Sequence, residues 1–595
     1  MFLPATPEEV RARGWDALDV ILVTGDAYID APSVGVAVIG RVLADAGYRV
    51  GVIAQPGVGG DDITRLGEPL LFWGVTGGCV DSMISNYTAT GKKRKSDDLT
   101  PGGVNNRRPD RAVIAYANLI RRHFKQTRPI VLGGIEASLR RISHYDYWTD
   151  AVRRSVLCDA KADLLVYGMG ERTVVELAHA MQNSLPVTGI RGLCHMAKEK
   201  PEDAVELPAH ADVAKDKDLF AKMYAEFYKH SRTPKGKRLC QLQDTRYLVI
   251  NPPQGPLSAD ELDHVYELDY QRDAHPKDRA AGEVRALETT RFSMVTHRGC
   301  FGECSFCAIT VHEGPVIMSR SEASLLREAR RLTAHPDFKG TIYNVGGATA
   351  NMYGAGCGRR KDGGPCASRR CLWPAVCDNL LVDHRRQRLL LEKVARIPGV
   401  RHVFVQSGIR HDMVIHDTRE GGAYLAALLA KHVSGQLKIA PEHAEPHVLK
   451  LMGKPGADSF VRFISAFEQA GKKVDKKVFF TCYFIAAFPG CTMEDMRKLK
   501  AFVGKTLDFE PEQVQVFTPA PSTWATTLYY TEKDPDGRPL FVEKGLKQKE
   551  AQKEVLTGGR KPMASVRRPG RGPSGPKTPR PRKGPPGRPG STRGR

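Results

Sequence analysis

The sequence predicts an α/β protein in two parts: a doubly wound N-terminal domain, then a partial (β/α)6 barrel, with a basic tail after it. Three observations carry this reading. Short apolar, β-rich runs alternate with helical patterns from Asp19 to Thr173. A second alternation, with six strand-like runs, extends from about Thr290 to Thr518. Glycine pairs or Pro-Gly follow several of the runs, at the strand ends where parallel α/β folds gather ligands.

The N-terminal elements follow in order. Asp19–Thr24 is a short apolar run ending at Gly25-Asp26, a helical pattern spans Ser33 to Ala46 and closes at Gly47, and Arg49–Ala54 is a second apolar run. Strand, helix and strand at this length form a βαβ unit, which implies parallel pairing. Leu70–Val75 reads as a third strand, Lys92–Arg108 as a loop and Ala112–Phe124 as a helix. Another strand starts at Pro129 and ends in Gly133-Gly134-Ile-Glu-Ala-Ser138; the next starts at Ala162 and ends in Gly168-Met-Gly170-Glu171. Residues 1–195 thus form the doubly wound domain, with any ligand expected at the carboxyl ends of its strands. Residues 196–288 are charged and weakly patterned and read as a helical and loop connector, with a bend from Asn251 to Leu257 and a capping box at Ser258–Glu261.

The barrel is expected over residues 289–545. Its strands read as Phe292–Thr296, Thr341–Val345, Val403–Ser407, Gln436–Ala440, Val478–Ile485 and Val514–Thr518, with a helix over Ser321–Thr333. A cysteine-rich insertion, 354–384, separates the second strand from the third.

Chemistry concentrates at the end of the first barrel strand, in Cys300-Phe-Gly-Glu-Cys304-Ser-Phe-Cys307, spaced C-x3-C-x2-C. Thiolates suit iron–sulfur clusters, zinc and copper(I). Structural zinc would want a fourth Cys or His close by, and neither His297 nor His312 sits at a zinc-finger spacing. An odd number of thiols argues against a disulfide framework. Three ligands on one loop leave one iron of a four-iron cubane open to a ligand that is not protein.

With the aromatic Phe306 before its third cysteine, the motif resembles the signature of the radical S-adenosylmethionine (SAM) superfamily. The wider context, Thr296-His297-Arg298-Gly299 through Ala308-Ile309, resembles its YgiQ-type bacterial subfamily, and the resemblance runs from about residue 15 to about residue 545. It implies that Cys300, Cys304 and Cys307 hold a 4Fe–4S cluster whose open iron chelates the amino and carboxylate groups of SAM. One-electron reduction then cleaves SAM to methionine and a 5′-deoxyadenosyl radical. A low-potential donor of the flavodoxin or ferredoxin type is the implied partner. The two N-terminal glycine motifs resemble those of the cobalamin-binding-type domain that precedes many radical SAM barrels. The Asp-x-His-x-x-Gly motif for a lower cobalt ligand is missing, so a role in substrate recognition or structure stands beside cobalamin.

The resemblance also assigns SAM contacts. Gly346-Gly347 matches a Gly-Gly-Glu motif whose backbone carbonyls receive the SAM ammonium; here Ala348 replaces the acid. Ser407, Lys438 and Glu442 end the third and fourth strands, where polar contacts to the SAM ribose and carboxylate are expected. Pro489-Gly490 resembles the segment beside adenine. His297, His411, His416 and His443 flank strand ends, where a lone histidine is more often a hydrogen-bonded structural residue than a catalyst. Cys482 and Tyr483 lie on the fifth strand. Cys357, Cys366, Cys371 and Cys377, in the insertion, meet the ligand count for an auxiliary iron–sulfur cluster or zinc, at a spacing that matches neither a ferredoxin nor a zinc ribbon.

The 595 residues carry a formal charge of +22, yet Arg560–Arg595 alone holds twelve Lys/Arg and no Asp/Glu. Residues 546–595 are therefore expected to be a disordered basic tail able to contact polyanions non-specifically. A nucleic-acid-binding protein with a structural cluster is the competing class. The tail has no aromatic residue for base stacking, which speaks against a dedicated single-strand surface. No apolar run is long enough for a membrane span, and no signal-peptide pattern opens the chain. Thirteen cysteines, seven of them between Cys300 and Cys377, fit a reducing cytoplasm.

Overall fold

Five parallel strands, Val50–Ala54, Val20–Thr24, Phe72–Thr76, Ile130–Gly133 and Leu164–Val166, lie side by side in that order in a computed structural model of the chain. The model describes residues 1–359, 365–366, 369–474, 478–507 and 509–558. Numbered along the chain, the strand order is 2-1-3-4-5, so the sheet reverses direction of growth between Val20–Thr24 and Phe72–Thr76. Such a switch point opens a crevice at the strand carboxyl ends. Helix Gly35–Asp45 packs Val36, Ala37 and Leu43 against Val20 and Leu22 on one face. Helix Ala112–His123 packs Val113, Tyr116 and Ile120 against Ile21 and Val23 on the other. These elements fall within two residues of the spans read from sequence.

The connector reading of residues 196–288 is corrected. Leu193–Ala197, Val205–Leu207, Leu239–Gln243 and Arg246–Ile250 extend the same sheet to nine strands, so the domain does not end at 195. These strands looked polar because their buried positions include glutamines. Gln241 Oε1 accepts from the Ser143 N–H at 3.1 Å, and Gln243 Oε1 accepts from the Ser155 N–H at 3.1 Å. Buried amides satisfied in this way cost little, but they erase the apolar alternation that announces a strand.

The second half is a six-stranded parallel arc. Ser293–Val295 pairs with Asn344–Gly346, and Thr341–Ile342 with His402–Val403. A bridge between Ile409 and Ile439 leads to Gln436–Glu442, which pairs with Phe479–Ala486 and then Gln513–Val516. This is a partial barrel. The third strand is shorter than Val403–Ser407: the N–H groups of Gln406 and Ser407 donate to Asn344 Oδ1 at 2.9 and 3.0 Å instead of to a neighbouring strand's backbone.

The tail boundary also moves. Leu546–Thr557 is a helix docked on the barrel, not part of a disordered segment. Its Gln552, fully buried, accepts the Ala487 N–H at 2.9 Å, and Lys549 donates to the hydroxyls of Tyr529 and Tyr147 at 2.9 and 3.1 Å. An amphipathic face made of Lys, Gln and Leu has too little apolar character to stand out from a basic tail. The remainder of the expected tail, 559–595, lies outside the described residues. Among the described residues no helix is long and apolar enough to cross a membrane.

Candidate active site

The cysteine loop leaves the first barrel strand through His297–Arg298, which pairs with Met318–Ser319. Gly299 turns the chain at φ +85°, where a Cβ would lie 1.9 Å from the Val316 carbonyl oxygen, so only glycine fits. The loop is pinned at Ser305: its N–H donates to Met452 O at 2.9 Å, and its carbonyl accepts from the Ala525 N–H at 2.9 Å. Phe306 meets Phe488 edge to face, ring centroids 6.2 Å apart. This contact ties the aromatic residue of the motif to the segment that runs into Pro489-Gly490.

The thiols converge. A Cβ placed on Gly302 would lie 3.3 Å from Cys300 Sγ and 3.6 Å from Cys304 Sγ, so this glycine leaves room between two sulfurs. Burial raises the thiols of Cys300 and Cys307, the latter to about 12, and the neighbouring thiols of the loop add to it. Three half-buried thiols crowding one another are a poor arrangement for free thiolates and a good one for a multinuclear cation. Donors surround them: the Gly302 N–H reaches Cys300 Sγ at 3.4 Å, Arg410 Nη1 lies 3.6 Å from Cys304 Sγ, and Thr349 Oγ1 lies 3.7 Å from Cys300 Sγ. Hydrogen bonds to cluster sulfur tune reduction potential. The residues present therefore fit a 4Fe–4S cluster.

Arg410 has no counterpart in the sequence reading. Its Nε donates to Asp412 Oδ1 at 2.8 Å and its Nη2 to Oδ2 at 2.5 Å, a bidentate pair with both partners buried. Burial works against the Asp412 charge, and Arg410 outweighs it, holding the carboxyl at about 2. Asn351 clamps the Arg410 backbone from both sides at 2.8 and 3.0 Å. The available signal was an Arg-x-Asp just past the third strand's end. Glu303, inside the loop at φ +43°, was also missed. It binds Arg232 and accepts the Tyr228 hydroxyl at 2.8 Å, and both partners lie at the end of helix Lys217–Ser231 in the supposed connector.

Of the SAM contacts read from sequence, Gly346 and Gly347 stand at the barrel mouth. Gly347 is there by necessity, since a Cβ on it would lie 2.7 Å from His297 Nε2. Ser407 Oγ accepts from Asn344 Nδ2 at 2.7 Å beside Gly346. Lys438 alternates with Leu437 and Ile439, which are buried in the core, so it occupies the opposite face of its strand. Glu442 follows a register shift at φ +71°; burial raises its carboxyl, and Lys454, itself buried, lies 3.5 Å away. Gly490 turns at φ +87° and donates its N–H to Phe541 O at 2.7 Å. Cys482 belongs to the apolar core with Phe484.

Three of the histidines are structural in their contacts. His297 Nε2 donates to Thr349 O at 3.0 Å and its Nδ1 lies 2.8 Å from Thr296 Oγ1, so both nitrogens are used. His443 Nδ1 accepts from the Glu445 N–H at 3.0 Å. His411 packs against the edges of Phe460 and Phe463. Burial depresses all three to about 4, so they are neutral at pH 7.

A cavity of about 450 Å³ lies between the two halves. One wall is the crevice of the N-terminal sheet, with Thr24, Thr76, Gly134 and Gly168; the other is the barrel mouth, with Ile309, His312 and Gly346–Ala348. The glycine motifs of the N-terminal domain hold the halves together at this rim. Ser138 Oγ lies 2.9 Å from His312 Nδ1 and also receives the Gly168 N–H at 3.1 Å. Glu171 forms a buried ion pair with Arg298, which donates its Nε to Tyr266 Oη at 2.8 Å. Burial would raise the Glu171 carboxyl, but Arg298 prevails and lowers it. Beside this pair, burial raises Glu313, which accepts the Gly299 N–H at 2.8 Å. The cavity is therefore largely apolar, with a polar corner made by Glu171, Arg298, His312 and Glu313, and with Thr24, Asp26, Thr76 and Asn344 elsewhere on its lining.

Known proteins resemble this chain. Residues 2–293 match the family model described as Radical SAM N-terminal, and residues 294–503 the model described as Radical SAM superfamily. The boundary falls where the nine-stranded sheet has ended and the first barrel strand begins. By class, then, this is a radical SAM enzyme, a family that works with a 4Fe–4S cluster and SAM. More particularly, the chain belongs to the UPF0313 family: it is 49% identical to the UPF0313 protein of Fusobacterium nucleatum over 94% of this chain and 99% of that protein. It is also 49% identical to the one from Thermotoga maritima, over 93% and 98%. Among solved structures, the radical SAM methyltransferase TsrM from Kitasatospora setae, with cobalamin and a [4Fe-4S] cluster bound, aligns at TM-score 0.48 and 16% identity, covering 92% of this chain and 89% of that one. The cobalamin-dependent radical SAM enzyme OxsB aligns at TM-score 0.47 and 12% identity, over 89% and 58%. Both likenesses are too loose to bear on ligand or reaction.

Proposed function

We propose that the enzyme cleaves SAM at the Cys300, Cys304 and Cys307 site and applies the resulting radical to a small, mostly apolar substrate held in the cavity between its two halves. The observation that carries this is the position of the cavity. Its barrel wall is made by Gly346–Ala348 and by Ile309 and His312, just past the cysteine loop. The cluster, when bound, supplies the electron that splits SAM, and the chain supplies position and the exclusion of water.

In this reading the carbonyls of Gly346 and Gly347 receive the SAM ammonium, and Ala348 adds no carboxylate. Ser407 and Lys438 meet the ribose and methionyl carboxylate. Glu442, neutralised by Lys454, shapes that end of the site instead of binding a cation. Phe306, Phe488 and the Pro489-Gly490 turn flank adenine. A cavity of this volume is in the range for a small-molecule ligand, and its polar corner would orient one polar group of the substrate. The reductant is a low-potential one-electron donor, and residues 560–595 would contact polyanions without sequence preference.

Cobalamin-dependent methyl transfer is the competing reading. It finds less support, because both histidines on the cavity wall, His297 and His312, come from the barrel side, and His297 has both nitrogens engaged. The test is anaerobic reconstitution with iron and sulfide, then dithionite and SAM, with 5′-deoxyadenosine measured. A low-molecular-mass cell extract should stimulate its formation in the natural protein, and Met169→Trp, which narrows the cavity at one of its lining positions, should weaken the stimulation while leaving basal cleavage. Stimulation confined to the macromolecular fraction, or undiminished in Met169→Trp, would place the substrate elsewhere.

A further inference from the structure

Four thiols in the insertion are unused by this reading. They are brought together by backbone structure. Gly356–Cys357 pairs antiparallel with Leu380–Leu381, setting Cys357 opposite Leu380. The Leu380 N–H donates to Cys377 O at 2.8 Å, and the Cys377 N–H donates to Cys371 O at 2.9 Å, which closes the 371–377 loop. Cys366 is fixed from outside the insertion: its carbonyl accepts from Arg232 Nη1 at 2.9 Å. All four are free, half-buried cysteines.

Their position relates them to the first site. Phe301, from the cysteine loop itself, packs with Met352, Ala355, Leu372, Leu380 and Met413 in a small apolar cluster against which Cys300, Cys371 and Cys377 all pack. Arg232 bridges the same two segments, binding Glu303 of the loop and the Cys366 carbonyl together.

We propose that Cys357, Cys366, Cys371 and Cys377 bind a second, four-iron iron–sulfur cluster, set beside the SAM-cleaving one across Phe301. Four thiolates give the complete protein ligand set that such a cluster takes. Mononuclear zinc fits the spacing less well. Tetrahedral zinc with bonds of about 2.3 Å needs its four sulfurs within about 4 Å of one another. Among the described residues, no three of these sulfurs lie mutually within 4.8 Å; the group that does is Glu445, His447 and Asp495. In a cubane each thiolate binds its own iron, so the sulfurs stand farther apart. The insertion is rich in Gly, Arg and Lys, and among its described residues the buried apolar side chains are Ala355, Leu372 and Leu380, so metal binding would offset the entropy of ordering it.

The experiment uses the full-length chain with Cys300, Cys304 and Cys307 all changed to Ala, reconstituted anaerobically with iron and sulfide. About four irons with matching sulfide per chain, and an EPR signal after dithionite that SAM does not alter, are expected. About one zinc, about two irons, or folded protein with neither metal overturns the proposal. Should the triple variant not fold, Cys371→Ala/Cys377→Ala in the otherwise intact chain gives the converse reading. Iron should fall from about eight to about four per chain while the SAM-sensitive signal of the first site persists. Unchanged iron in that variant also overturns it. Loss of the first site's signal alone would count against its ligand assignment and leave the second site's iron count as a separate result.

Discussion

Gly347 shows how tightly the barrel mouth is specified. A methyl group there collides with a histidine that is neutral, buried and hydrogen-bonded at both nitrogens, so the histidine cannot give way without losing a partner. Gly347→Ala is predicted to fold, to assemble its cluster, and to lose on the order of 10²-fold in SAM cleavage, the typical effect of misplacing a reacting group by about an ångström. Measured 5′-deoxyadenosine formation checks this; a variant within a factor of two of the natural rate would remove Gly347 from the site. Arg410 is a second single-residue case. Arg410→Met leaves Asp412 buried without its cation, which should destabilise the chain by about 3–5 kcal/mol. It also removes the donor nearest Cys304, so the reduction potential of the cluster should shift, as a potentiometric titration would read. Asp412 and Arg410 removed together should cost less than Arg410 alone, because no uncompensated charge remains. Spacing marked the three cysteines as a metal-binding loop, and the resemblance to radical SAM enzymes implied their cluster. Glu303 with Arg232, and Arg410 with Cys304, act through contacts between segments far apart in the chain, which spacing does not encode.

At the level of elements, the strands with continuous apolar runs were legible to within two residues, because a buried parallel strand has no other pattern to show. Elements whose inward face carries amides or lysines were not. The strands around Gln241 and Gln243 read as a connector, and helix Leu546–Thr557 read as tail. The second misreading yields a prediction. Truncation after residue 558 should leave SAM cleavage and thermal stability unchanged. Truncation after residue 545 takes away the buried Gln552, which accepts the Ala487 N–H and donates to Cys491 O at 3.3 Å. Each buried group left without a partner costs about 1–3 kcal/mol, so this shorter chain should melt well below the longer one. Equal melting temperatures would show that the helix is not part of the folded unit.

For the whole molecule, burial of histidine sets the acid limit of stability. His144, His297, His312, His411 and His443 are each depressed to about 4, in every case by burial first. An unfolded histidine takes up a proton near pH 6.5, so between that pH and about 4 each of these five binds more protons in the unfolded chain than in the folded one, against the opposite contribution of the burial-raised carboxyls of Asp26, Glu136, Asp278, Glu313 and Glu442. The histidine contribution to stability should therefore fall as pH drops through this window, with a slope approaching about 1.4 kcal/mol per pH unit for each such histidine. Denaturation at pH 7, 6 and 5 checks this, and a flat profile would mean that these side chains reach solvent. The two halves of the fold meet so that the crevice of one faces the mouth of the other, and the latches at that meeting, Ser138 with His312 and Glu171 with Arg298, are residues of the glycine motifs that first drew a cofactor reading. The motifs were visible in sequence; that they hold a domain interface could be seen only once both halves were in place. The central claim is that three thiolates leave one iron for SAM. It is tested most directly by EPR of the dithionite-reduced protein with and without SAM. The account predicts a signal that SAM alters in the natural protein and that Cys300→Ala, Cys304→Ala and Cys307→Ala each abolish. A SAM-sensitive signal surviving all three single substitutions would contradict it.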